Sequence, residues 1–196
     1  MNVRDATFSD IGLICDLLAE AFYDDILIES AFPAPDRRRE ALRSFFRIYA
    51  EVALRKGGVI IDENNVGALI YFHYDSENIT DEILFKQLRD EYSADYATMA
   101  YLMHKLSAYH PTTPHFYIFV LAIPGKDRGM DVINALMYRL IHLQDQAGVP
   151  CYAECTAARV QRLAGRLGFK PAEFKLCIDG FPELYPILRE PQKPLI

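Results

Sequence analysis

A chain of 196 residues, 51 % apolar and 24 % charged, has the composition and length of one globular domain with a full core, and is short for two. Its formal net charge of −6 argues against nucleic acid or an anionic membrane as the main partner, because both demand a basic footprint. The first residues lack the charged-then-apolar layout of a signal peptide, and Cys15, Cys151, Cys155 and Cys177 show no metal-ligand spacing, so no metal is expected and cytoplasm is the default compartment.

The pattern of the chain predicts a short strand over Val3 to Ala6. Ser9 reads as an N-cap, with Ile11, Ile14, Leu17, Leu18, Ala21 and Phe22 following at helical spacing. After Pro33 and Pro35 a second amphipathic helix runs from about Asp36 to Lys56. Its basic run Arg37-Arg38-Arg39 reads as a solvated helix start, and Gly57-Gly58 as its C-terminal stop. Val59–Asp62 and Val66–Tyr74 flank Glu63-Asn64-Asn65 as a hairpin. Residues 75–112 read as a helical insertion. The stretch between Lys105 and Lys126 lacks Asp, Glu, Lys and Arg, but Pro111, Pro114 and two histidines turn it into a loop and a buried strand rather than a membrane span.

Phe116–Ile123 is continuously apolar, the mark of a central strand covered on both faces. Asp131 to Ala147 follows as a helix stopped by Gly148, then a strand over Cys151–Cys155 and a short helix from Ala157 to Leu167 closed by Gly168. Phe174–Ile178 and Leu184–Leu188 are read as late strands. Helices, an antiparallel hairpin and a strand–helix–strand crossover make one α/β domain over 1–196 with a mixed, mostly antiparallel sheet.

Chemistry concentrates where the central strand runs into the next helix. A helix N-terminus carries unpaired N–H groups and the positive end of the dipole, and so attracts phosphate. Gly125 and Gly129 let a ligand approach the backbone, and Arg128 can pair bidentately with a phosphate.

Leu121-Ala122-Ile123, a four-residue turn and Arg128-Gly129-Met130-Asp131-Val132-Ile133 resemble the acetyl-CoA-binding segment of the GNAT superfamily of N-acetyltransferases. Pro150 to Thr156 resembles that family's fifth strand, and Leu163 to Phe169 its Leu-Gly-Phe helix exit. His115-Phe116-Tyr117-Ile118 is similar to a branch related to puromycin acetyltransferases. The resemblance implies a GNAT-like acyl-CoA N-acyltransferase fold and acetyl transfer from acetyl-CoA to an amine of a small molecule or peptide by direct attack; a homodimer is compatible with it. It implies that Arg128 and the 128–133 backbone hold pyrophosphate, while the backbone of Leu121 to Ile123 meets pantetheine and the oxyanion. Candidate general bases are Glu154 at a strand end and His115 at the head of the central strand, with Tyr117 and Tyr152 as substitutes for a missing phenol.

The chain also departs from the family pattern. Asp131 replaces a glycine, and Ile133 a glycine or alanine. Val160 stands where a cofactor-contacting Asn is usual, and Ala164 where a Tyr protonates the leaving thiolate. A carboxylate about 4 Å from a phosphate costs about 1 kcal/mol in water and about 4 at an effective dielectric near 20. These departures set a second expectation, a catalytically silent GNAT-fold binding or regulatory module.

Overall fold

The computed structural model describes residues 2–75, 97–123 and 129–192. Strand β1 (Val3–Asp5) leads through a 3-10 turn, Phe8–Asp10, into helix α1 (Ile11–Phe22). The entry is fixed by Asp10 rather than by Ser9. Its carboxylate accepts the Thr7 backbone N–H at 2.8 Å and both Nη1 and Nη2 of Arg4 at 2.9 and 2.7 Å. The Arg4 hydrogen bonds, and then that N–H, hold the Asp10 carboxyl well below the usual range.

Helix α2 (Ile26–Ala31) has no counterpart in the sequence reading. Six residues are too few for a periodic signal, and the helix is started by a local N-cap: Asp25 Oδ1 accepts Leu27 N–H at 2.9 Å. Helix α3 (Pro35–Lys56) begins with Pro at its first position, where no N–H is missed. Arg38 is not solvated as expected. It is 6 % exposed, and it donates to the carbonyls of Phe32 at 2.8 Å and Tyr23 at 3.2 Å and to Glu29 at 3.2 Å. Its guanidinium ties α3 to α2, which a run of three arginines does not reveal.

Gly57 does not end α3 in a left-handed cap. Its φ is 179°, extended backbone, and the chain passes straight into β2 (Gly57–Asp62). Glycine is needed here because a Cβ would drive into the backbone carbonyl of Tyr71 on β3 (Ala68–Tyr74). The hairpin between β2 and β3 is organised by the buried Asp62 carboxylate, which accepts the N–H groups of Asn64, Val66 and Gly67 at 2.7 to 2.9 Å.

Helix α4 (Ala97–Ser107) is the described part of the expected insertion; 76–96 lie outside the described residues. β4 (His115–Ala122), α5 (Gly129–Ala147) and β5 (Cys151–Cys155) form the crossover. Helix α6 (Ala158–Ala164) and a 3-10 turn, Gly165–Leu167, end at Gly168, whose φ of 87° suits glycine. Short β6 (Lys170–Pro171) and β7 (Tyr185–Arg189) complete the sheet. Phe174–Ile178 is not a strand: only Leu176 bridges, to Leu184.

Among the described residues the sheet has seven strands, ordered β1-β2-β3-β4-β5-β7-β6. Every neighbouring pair is antiparallel except β4 with β5. One face carries the larger core, with α1, α3 and α4 over it; α5 covers the other through Val132, Leu136, Met137 and Leu140. Between β3 and β4 the register slips by one: Ile70 pairs with Val120, but Tyr71 with Ile118. Phe119 is therefore a bulged extra residue. Its ring stacks on Tyr49 of α3 at 4.0 Å and 6°, so both Phe119 and Val120 pack on the α1–α3 face. At the far side, Arg189 is 3 % exposed. It pairs with Asp145 at 2.6 Å and donates to Gln144, locking β7 to the end of α5.

Candidate functional site

β4 and β5 share only two paired positions, Phe116 with Cys151 and Tyr117 with Tyr152. β4 continues to Ala122 and β5 to Cys155, so past these two rungs the strands part. The β5-facing edge of β4 from Ile118 to Ala122 has no strand partner among the described residues. The opening is a cavity of about 250 Å³, walled by Ile118–Leu121 on one side and Ala153–Thr156 on the other. Parallel strands cannot be joined by a tight turn, so the α5 crossover must span the gap. Helix α5 thereby begins near the open ends of both strands, the position where α/β sheets take ligands.

Glu154 lines this cavity, and its side chain is 5 % exposed. Burial pushes the carboxyl up to about 7, against the opposing influence of the Tyr117 and Tyr152 hydroxyls. Among the described residues, no hydrogen bond of normal geometry reaches Glu154 Oε1, the Tyr152 hydroxyl or either ring nitrogen of His110. His110 Nε2 lies 3.7 Å from Glu154 Oε1, and the imidazole is packed 4.2 Å from the Tyr117 ring. Burial, then the neighbouring His115, drives His110 down to about 3. Burial disfavours the charged form of both partners. Their closeness is thus not an ion pair near neutrality.

His115 is 2 % exposed. Its Nδ1 lies 2.8 Å from the Thr113 carbonyl, and its ring stacks on Tyr74 at 5.0 Å. It joins the same aromatic cluster as His110, at 5.6 Å ring to ring, one layer back from the cavity wall. Tyr117 and Tyr152 stack at 6.2 Å on either side of the strand junction. Burial raises both phenols well above the ordinary range, so they are donors and not anions.

Leu121 lines the cavity, while Ala122 packs on the α1–α3 face and Ile123 on the α5 face. Arg128, with Pro124 to Asp127, lies outside the described residues. In the first turn of α5, Gly129 is partly buried, while Met130 and Asp131 are exposed. Val132 is buried and Ile133 packs against the same core. Among the described residues of this turn, Met130 and Asp131 are the exposed side chains, and Asp131 is the charged one. Val160 and Ala164 of α6 line the cavity, so the expected amide and phenol positions are apolar wall.

Sequence reasoning did not assign a role to His110, whose only signal was a histidine beside Pro111. Nor did it find Asp25, which enters the cavity wall from the start of α2; Thr156 Oγ1 donates to its Oδ2 at 3.2 Å. Among the described residues no cluster of three or more His, Cys, Asp or Glu is placed to hold a metal, and no helix is long and apolar enough to cross a membrane.

No family model matches the chain, and no curated protein does. Solved structures match over its whole length. A Corynebacterium glutamicum protein described as histone acetyltransferase HPA2 and related acetyltransferase is 24 % identical, with a TM-score of 0.72, covering 100 % of this chain and 98 % of that one. Polyamine N-acetyltransferase of Drosophila melanogaster is 14 % identical, TM-score 0.68, covering 96 % and 99 %. An agmatine N-acetyltransferase is 15 % identical, TM-score 0.66, covering 96 % and 98 %. A Desulfovibrio desulfuricans protein described as a putative acetyltransferase of the GNAT family aligns at a TM-score of 0.55 and 12 % identity, over 96 % and 98 %. The fold is that of GNAT acetyltransferases, as the sequence resemblance implies. The puromycin-acetyltransferase branch is not supported by these neighbours.

Proposed function

We propose that the protein is an N-acetyltransferase that moves the acetyl group of acetyl-CoA to the amine of a small molecule or peptide, with Glu154 as general base. The observation that carries this reading is a carboxyl buried on the wall of the cavity where β4 and β5 part, which burial pushes up to about 7. A general base works best when its pKa lies near the operating pH. A structural carboxylate on a silent module gains nothing from such placement, and this favours the enzyme over a binding module.

The residues present suit acetyl-CoA in part. The unpaired edge of β4 from Ile118 to Ala122 offers backbone donors and acceptors to the amide groups of a pantetheine arm. The N-terminus of the 19-residue α5 offers its free N–H groups to pyrophosphate, with Arg128 and the 128–133 backbone as the expected holders. Acetyl-CoA supplies an activated acyl group on a thiol leaving group.

Glu154 would take the proton from a bound ammonium, leaving a neutral amine as the nucleophile, and backbone N–H groups along Leu121 to Ile123 would supply donors for the charge that develops on the acyl oxygen. No phenol stands at Ala164 to protonate the departing sulfur. A thiol of pKa about 8.5 leaves tolerably as thiolate near neutral pH, so this loss slows the reaction without stopping it. His110, neutral and 3.7 Å from Oε1, keeps the carboxyl in a dry setting.

The test combines binding and turnover. Acetyl-CoA at a hundredfold over its dissociation constant should add about 2.7 kcal/mol of stability in a thermal melt, and thiol release should appear with an amine panel. Absence of any shift with acetyl-CoA, longer acyl-CoAs or CoA at millimolar concentration removes the enzyme reading in favour of the silent module.

A further inference from the structure

Resting on that acetyltransferase reading, we infer that His110 is a positioning residue for Glu154: as a neutral imidazole it donates its Nε2–H to the carboxylate, orienting the base and favouring its ionised form. Four buried polar atoms meet here without a hydrogen bond among the described residues: Glu154 Oε1, the Tyr152 hydroxyl and both ring nitrogens of His110. Leaving such atoms unpaired is costly, and native interiors seldom do so. The imidazole is held from several sides. Backbone bonds from Tyr109 N–H to Leu106 and from His110 N–H to Ser107, at 2.9 and 3.3 Å, close the turn that follows α4. The ring then lies 5.2 Å from that of Tyr74 on β3, 4.2 Å from Tyr117 on β4 and 5.4 Å from Tyr152 on β5. Its Nε2 stands 3.7 Å from Glu154 Oε1, just beyond hydrogen-bond length. Catalytic hydrogen bonds are often long in an unliganded site and tighten when substrate binds.

The direction of the effect follows from charge. Burial keeps the imidazole neutral, so one ring nitrogen carries a hydrogen and the other accepts. Burial raises the proton affinity of Glu154, and a hydrogen bond given to its ionised form lowers it again. The Tyr117 and Tyr152 hydroxyls act in the same direction as His110. Asp25, from the start of α2, and Cys155, the next residue of β5, share the cavity wall with Glu154. Tyr109 stands beside Tyr152, and His115 and Tyr74 stand behind the imidazole. His110 is the group among these that brings a ring N–H toward Oε1.

The experiment has a spectroscopic and a kinetic arm. Nitrogen-15 spectra of the whole protein at about pH 8.5, where an ordinary histidine is neutral, should show His110 as the Nε2–H tautomer, its signals assigned by their loss in His110→Phe. The kinetic arm follows kcat/KM against pH by thiol release with a panel of amines. His110→Phe keeps a ring against Tyr117 and deletes both nitrogens. A hydrogen bond to a charged group is worth about tenfold or more, so the alkaline-going limb should move up by about one pH unit and kcat/KM at about pH 6 should fall about tenfold, recovering near pH 9. The KM for acetyl-CoA should not move. His110→Gln restores an N–H donor at similar reach and should bring the limb back to within about half a unit of the parent. A role in packing alone reverses the order, with His110→Phe close to the parent and His110→Gln the more damaged. That reversed order, an unmoved limb in His110→Phe or an Nδ1–H tautomer in the parent overturns the inference and leaves the acetyltransferase reading intact. Turnover of no amine by the parent removes both.

Discussion

Replacing Glu154 by Gln should make the protein more stable and less active at the same pH. The carboxyl rises from an ordinary 4.5 to about 7 on burial. At 1.36 kcal/mol for each pH unit, the folded state carries a penalty of about 3 kcal/mol once the group is ionised. Because the folded protein binds this proton more tightly than the unfolded chain, stability is full below about 4.5, falls as pH rises from about 4.5 to 7, and stays low above that. Glutamine cannot ionise. At pH 8.5, Glu154→Gln should therefore melt above the parent by about 6 to 12 °C, using about 2 to 4 °C per kcal/mol for a chain of this size. At pH 4.5 the two should melt together. Over the same range, kcat/KM of the parent should rise along a limb centred near pH 7, and the variant should lose that limb and about 10² to 10⁴ in rate. Calorimetric melts at the two pH values, beside a thiol-release assay across pH, decide the matter. Equal melting at pH 8.5, or an unchanged pH–rate profile, refutes the assignment of a buried, functional base at this position.

Asp131→Asn should tighten CoA binding about fivefold, since an exposed carboxylate about 4 Å from a phosphate costs about 1 kcal/mol; calorimetric titration showing equal or weaker binding removes the idea that Asp131 opposes the pyrophosphate. Ala164→Tyr should raise kcat at pH 7 by about ten- to a hundredfold, the low end of general-acid catalysis, and the gain should shrink above pH 8.5, where the thiolate leaves unaided; a uniform gain or none in the pH–rate curve contradicts this. Arg189→Ala should cost about 1.5 to 3 kcal/mol in urea unfolding, because buried Gln144 and partly exposed Asp145 lose charge-assisted hydrogen bonds; a cost below about 0.5 kcal/mol would show that the β7–α5 lock is dispensable.

The periodic elements were legible in the sequence because their burial is regular. The apolar run of β4, the amphipathic α5 and the Gly168 exit stand within a residue or two of where the pattern put them. What escaped is set by contacts between distant residues. Gly57-Gly58 after a helix reads as a stop, but only the closeness of Tyr71 on β3 explains it. Arg38 is held by Glu29 and the Phe32 carbonyl at the end of a helix too short to announce itself. The bulge at Phe119 leaves no mark in an unbroken apolar strand; it is made by the stacking partner Tyr49, 70 positions earlier. Glu154 was found because it ends a strand beside the family-like segment. His110 was passed over because a histidine next to proline looks like loop, and only the rings of Tyr74, Tyr117 and Tyr152 around it turn it into interior. Arg128, the most specific of the expected cofactor contacts, lies outside the described residues.

The two rungs that join β4 to β5 divide the sheet mechanically. On one side β1 to β4 form a continuous antiparallel ladder; on the other, β5, β7 and β6 form a second. Across the seam only two paired positions resist local opening, so the halves are expected to open with separate free energies. An extended molecule seated along the free edge of β4 would act as an extra strand and couple them. Amide hydrogen exchange reads this directly: protection in β5 and β7 should rise with that of β4 when such a molecule binds, even at amides it does not touch.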